Sequence, residues 1–80
     1  MPDGKQTNLR LMKAGQSGVV VQIRGGYRFV SRLSAMGIRP GKRITKVSAM
    51  FMRGPVTVLV DRAQLAIGYG MADRIIIALD

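Results

Sequence analysis

The sequence contains no cysteine, no histidine, no tryptophan and no glutamate. Without cysteine there is no disulfide, no thiolate metal site and no thiol nucleophile. Without histidine the commonest metal ligand and the commonest general base are both missing. Four aspartates, Asp3, Asp61, Asp73 and Asp80, are the whole acidic inventory, and two of them lie near the termini. Paired-carboxylate hydrolysis and carboxylate-rich metal cages therefore lack material. No catalytic residue, no metal ligand set and no cofactor is expected. Long apolar runs are absent too: Ile75 to Leu79 is the longest, far short of the ~20 residues of a membrane span. Met1 to Asn8 is polar and has no signal-peptide core, so a cytoplasmic location is expected.

What is present is positive charge. Eighty residues carry a net charge of +9. Eleven basic residues, from Lys5 to Arg53, lie between Asp3 and Asp61 with no acid among them. Such a field suits a phosphate backbone, an anionic membrane surface or an acidic protein face. A nucleic-acid-binding small barrel is thus one reading of the chain. Against it, only Tyr27, Phe29, Phe51 and Tyr69 are aromatic, and they form no spaced stacking row.

The length makes one small domain with a modest core. Residues 1–8 are read as a flexible leader and 9–80 as the domain. Leu9 and Leu11 suggest a brief first strand. In the next run Val19, Val21 and Ile23 fall on one face, and the β-branched content supports a strand. Gly25-Gly26 ends it. From Tyr27 to Met36 the spacing becomes helical, with Phe29, Val30, Leu33 and Met36 on one side and Arg28 and Arg32 on the other.

Lys42 to Met50 reads as a strand whose alternation slips: Ile44 and Val47 are three apart, and Lys46 falls where an inward apolar residue belongs. A bulge or a rim position would explain the slip. Val56, Val58 and Val60 alternate cleanly after Gly54-Pro55. Leu65 and Ile67 form a short piece, Met71 to Arg74 a helical turn, and Ile75, Ile77 and Leu79 the last strand. Gly25-Gly26 and Gly68-Tyr69-Gly70 match neither phosphate-loop pattern and read as turns. The expected fold is mainly β: a small barrel of five to six short antiparallel strands with one short α-helix.

The densest local signals lie between Arg32 and Gly41. Gly37 fits the left-handed position just after a helix, which makes Leu33 and Ile38 the apolar pair of a Schellman clasp. Pro40 and Gly41 suit the centre of a type II turn. Arg28, Arg32, Arg39, Lys42 and Arg43 are expected near this corner. Each alone reads as a solvated charge; together, with no acid nearby in the chain, they read as a docking surface. Met50, Phe51 and Met52 either fold back to cap the barrel or form an adaptable contact patch. Left exposed, that patch would also allow weak self-association.

The order Leu9, Gly15, Gly18-Val19-Val20, Ile23, then Arg32-Leu33, Met36-Gly37-Ile38-Arg39-Pro40-Gly41, resembles the FeoA family of ferrous iron transport accessory proteins. Leu65-Ala66-Ile67-Gly68, Met71-Ala72 and Ile75-Ile76-Ile77 are similar to that family's closing segment. Lys46 stands where the family usually has an apolar residue. The resemblance implies an SH3-like barrel, and a cytosolic protein that binds FeoB, the membrane Fe²⁺ transporter with a cytosolic G-protein domain, and modulates uptake without carrying iron. The same module occurs as a regulatory domain in DtxR-type metal-dependent repressors. Asp61 and Asp73, without nitrogen or sulfur ligands beside them, make a poor Fe²⁺ site.

Overall fold

The structure, a computed structural model, describes residues 5–49 and 54–80. Met50, Phe51 and Met52 lie outside the described residues. Along the chain run β1 (Gln6–Asn8), β2 (Ser17–Ile23), α1 (Tyr27–Ala35), β3 (Arg43–Ala49), β4 (Val56–Val60), β5 (Ala63–Ile67), α2 (Tyr69–Ala72) and β6 (Ile75–Leu79). The six strands form one antiparallel sheet in the order β1-β6-β2-β3-β4-β5. The mainly β fold with a short helix is the expected one. Its core collects Val20, Ile44, Val56, Val58, Val60, Ile67, Ile75 and Ile77 from the strands, with Leu33 from α1 and Ala72 from α2. Val56, Val58 and Val60 are buried, while Thr57 and Leu59 between them are only partly covered, as a half-buried strand requires.

Two bulges reset the alternation. In β2 the register against β6 shifts between Val20 and Gln22, so Val21 is the extra residue. In β3 it shifts between Lys46 and Ser48 against β4, so Val47 is the extra residue. An inserted residue is left without a partner and turns its side chain away from the regular pattern. Val21 and Val47 are accordingly each 39% exposed. The inward phase of β2 is thus carried by Val20, not by Val21 as the alternation predicted. In β3 the bulge is present, but Lys46 is not at a rim. It is 2% exposed, beside Ile44 on the core face.

The first strand also differs from expectation. Gln6–Asn8, placed by the sequence in the polar leader, pair with Ile76–Ala78 of β6. Backbone ladder bonds need no apolar side chains, so a polar segment can complete a sheet edge. Leu9 and Leu11 form a turn instead. The Asn8 carboxamide accepts the Leu11 N–H at 2.9 Å, and the Asn8 carbonyl accepts the N–H groups of Leu11 and Met12. This local side-chain bond competes with strand continuation. The second helix likewise starts earlier than predicted, because the Gly68 carbonyl accepts from Met71 and Ala72.

Gly18 marks the tightest approach between strands. A Cβ there would lie 2.5 Å from the Ala78 carbonyl oxygen and 2.5 Å from Ile77 Cγ2. Only a residue without a side chain lets β2 and β6 come this close.

Candidate functional site

The corner between α1 and β3 is built as its residues predicted. The Ile38 N–H donates to the Leu33 carbonyl and the Gly37 N–H to the Ser34 carbonyl, each at 2.9 Å. Gly37 has φ +90°, and Leu33 and Ile38 are fully buried. These bonds and contacts define a Schellman clasp. The Lys42 N–H then donates to the Arg39 carbonyl across Pro40-Gly41, with Gly41 at φ +94°, which is a type II turn. A nine-residue helix is too short to stand alone. Burial of Leu33 and the packing of Phe29 and Met36 on the core hold it.

Arg28 and Arg32 lie on the outward side of α1 and are exposed. Residues four apart on a helix are neighbours, about 6 Å between Cβ atoms, so the two guanidinium groups share one face. Arg39 is tied to the end of the same helix, its Nη1 donating to the Ser34 carbonyl at 3.1 Å. Basic groups there complement the helix C-terminus. Among the described residues these three arginines form no salt bridge.

Lys42 and Arg43 are different. The chain has no acid near them in sequence, yet the fold supplies two. Lys42 Nζ lies 2.9 Å from Asp61, and Arg43 makes a two-pronged contact with Asp80 at 2.8 and 2.9 Å. A shallow hollow lies beside them, lined by Arg43, Thr45, Leu59 and Asp61, and both of its charged groups are already compensated. The expected group of five cations therefore divides into two paired and three unpaired. Two arginines that the sequence reading did not include join the unpaired set. Arg74 sits over the Phe29 ring, 5.3 Å from its centroid, and its carbonyl accepts the Arg24 N–H. Separation in sequence from α1 hid Arg74; Arg24, just before Gly25-Gly26 and three residues from Tyr27, carried the one visible signal.

A second cluster surrounds Lys46. Its ammonium donates to the carbonyls of Leu9 at 3.1 Å, Arg10 at 3.0 Å and Met12. Three donors meet three acceptors, which is what a buried ammonium requires. The Lys46 backbone holds the far side of the same loop, through Gly15 N–H to its carbonyl and its own N–H to Gln16. Burial pushes the Lys46 ammonium below its ordinary value, and the charge of Arg10 pushes the same way. Arg10 in turn bonds Asp73 at 2.9 Å, which raises its own pKa despite the opposing effect of burial. The slip in alternation at Lys46 was the visible signal, but its partners lie in another loop.

Asp61, Asp73 and Asp80 are thus each committed to a different cation, and among the described residues no three potential metal ligands gather.

Similarity to known proteins fits this architecture. The FeoA domain family matches residues 7–79. A crystal structure of an iron uptake regulatory protein (FeoA) is 33% identical, covers 95% of this chain and all of its own, and superimposes with a TM-score of 0.89. The solution structure of the FeoA protein from Chlorobium tepidum is 20% identical over 92% of this chain and 71% of its own, with a TM-score of 0.82. A manganese-dependent transcriptional repressor shares the fold, with 20% identity and a TM-score of 0.87. This chain spans 45% of that repressor's length and is covered throughout. No curated protein matches the chain.

Proposed function

The chain belongs to the FeoA domain family, and from that premise we propose that it binds the cytosolic part of a FeoB-type ferrous iron transporter and modulates its activity or assembly. Family membership supports a role in ferrous iron transport. Among the described residues no helix is long and apolar enough to cross a membrane; the regulatory docking proposed for the chain rests on the family premise. The observation that carries docking is the set of exposed arginines on α1 and just beyond its end, Arg28, Arg32 and Arg39, with no carboxylate bound among the described residues. Like charges held together raise the free energy of the isolated domain, and an acidic partner relieves that cost. Lys42 and Arg43, already paired, stand at the margin of this surface.

A pull-down with the transporter's cytosolic domain and C-terminal tail, at low salt and with or without nucleotide, is the direct test. Wild-type chain is expected to be retained, and reversing Arg28, Arg32 and Arg39 to glutamate is expected to release it with the circular dichroism unchanged. Absence of wild-type binding under every condition overturns the proposal.

A further inference from the structure

We propose that the α1 face recognises a short acidic protein segment whose carboxylates recur every three or four residues, with an apolar side chain that lands on Tyr27. This rests on the docking reading above and gives its partner a chemistry.

The first support is the disposition of charge. The three described carboxylates neutralise Arg10, Lys42 and Arg43. Among the described residues Lys5, Lys13 and Arg62, on other segments, also lack a carboxylate, but the largest group left is Arg24, Arg28, Arg32, Arg39 and Arg74, all exposed and all on α1 or on segments tied to it. Each of these five is an arginine, whose planar fork binds a carboxylate through two parallel bonds. Arg28 and Arg32, one turn apart, match two carboxylates spaced alike on a facing helix. The second support is Tyr27, which is 86% exposed at the start of the same helix. A large aromatic left in water among arginines has the composition of an interface anchor.

The same geometry disfavours the other anionic partners. A membrane-surface helix inserts an apolar face, but here Leu33, Phe29 and Met36 are packed into the core. A nucleic acid tract needs several phosphate contacts and a row of free aromatic faces. Helix α1, nine residues long, extends only about 13 Å, and the Phe29 ring is covered by Arg74.

The test uses the full chain and three fluorescent probes at low salt: a helical peptide with glutamates four apart and leucines beside them, an oligouridylate, and vesicles containing phosphatidylserine. The peptide should bind most tightly, and a peptide of the same composition with scrambled order should bind less well. Arg28→Glu with Arg32→Glu should weaken the helical peptide about tenfold or more, and Tyr27→Ala about fivefold. Lys13→Glu, in the loop held by Lys46, should change affinity less than about twofold if charge position, not total charge, decides. Thermal melting checks that each variant is folded. Tighter binding of the oligouridylate or the vesicles overturns the proposal, as does a peptide affinity indifferent to the double reversal. If the double reversal still binds the transporter's cytosolic part, this surface is wrong and the accessory role stands. If wild-type chain binds the peptide but not the transporter, the role is wrong and the surface stands.

Discussion

Around Lys46 a positive charge is turned inward and each of its three donors has a carbonyl acceptor. Along α1 the arginines are turned outward, and among the described residues none has a carboxylate. Both regions draw on the same run of cations between Asp3 and Asp61. The first is structure: its ammonium closes the loop from Leu9 to Gln16 onto β3. The second is surface charge that no carboxylate among the described residues matches. A net charge of +9 does not say where a partner binds. What says it is where the fold gathers the cations that it leaves unmatched.

The contrast is sharpest if Lys46 is replaced. Lys46→Met places an apolar residue inward but leaves three carbonyls, two of them in buried bonds, without this donor, a loss of about 1–3 kcal/mol. Denaturant unfolding should show it, with the amides of Leu11 and Met12 exchanging faster. The combined change of Arg28, Arg32 and Arg39 to glutamine should stay within about 0.5 kcal/mol of wild type in the same assay. Equal losses in the two variants would erase the distinction between the regions.

A smaller effect separates the clasp from the charges it displays. Gly37→Ala should cost about 1 kcal/mol. The cause is the left-handed backbone at φ +90°, since the nearest atom to an added Cβ is Val60 Cγ1, at 3.7 Å. Binding by the folded fraction of this variant should be unchanged. A loss of binding with the helix still formed would show that clasp and docking face are one device.

The smallest effect is in pH. The Lys46 pKa is lowered in the folded chain from an ordinary value of 10.5. Between the two values the unfolded chain holds more protons, so folding is favoured as pH rises. The stability gap between wild type and Lys46→Met should therefore widen from neutral pH toward the alkaline side. A gap that is flat or narrows would mean that the ammonium is not desolvated as the structure has it.

Much of the fold was legible in the chain. Helix α1, its clasp at Gly37, the Pro40-Gly41 turn and the clean alternation of β4 all follow from neighbours within a few residues. The alternation in β2 was misread because a bulge at Val21 changes phase without any composition signal. Polar β1 was invisible because it joins the sheet through its backbone alone. The site was legible in part: Arg28, Arg32 and Arg39 share a helix and its end, and their grouping is a matter of period. Arg74 joins that group through Phe29, and bonds the nearby Arg24 through its backbone, across a separation from α1 that no period spans.

The sequence by itself determined a mainly β fold, basic and poor in catalytic groups, with a helix stopped at Gly37 and turned at Pro40. Those features depend on inventory and on interactions between near neighbours. Only the tertiary structure decided that Lys46 is a buried peg, that Asp61 and Asp80 silence Lys42 and Arg43, and that the arginines of α1 are left over. Pairing of charges depends on distance in space, falling off over a few ångströms once solvent and salt intervene. Residues tens of positions apart meet at that range only after the sheet has formed.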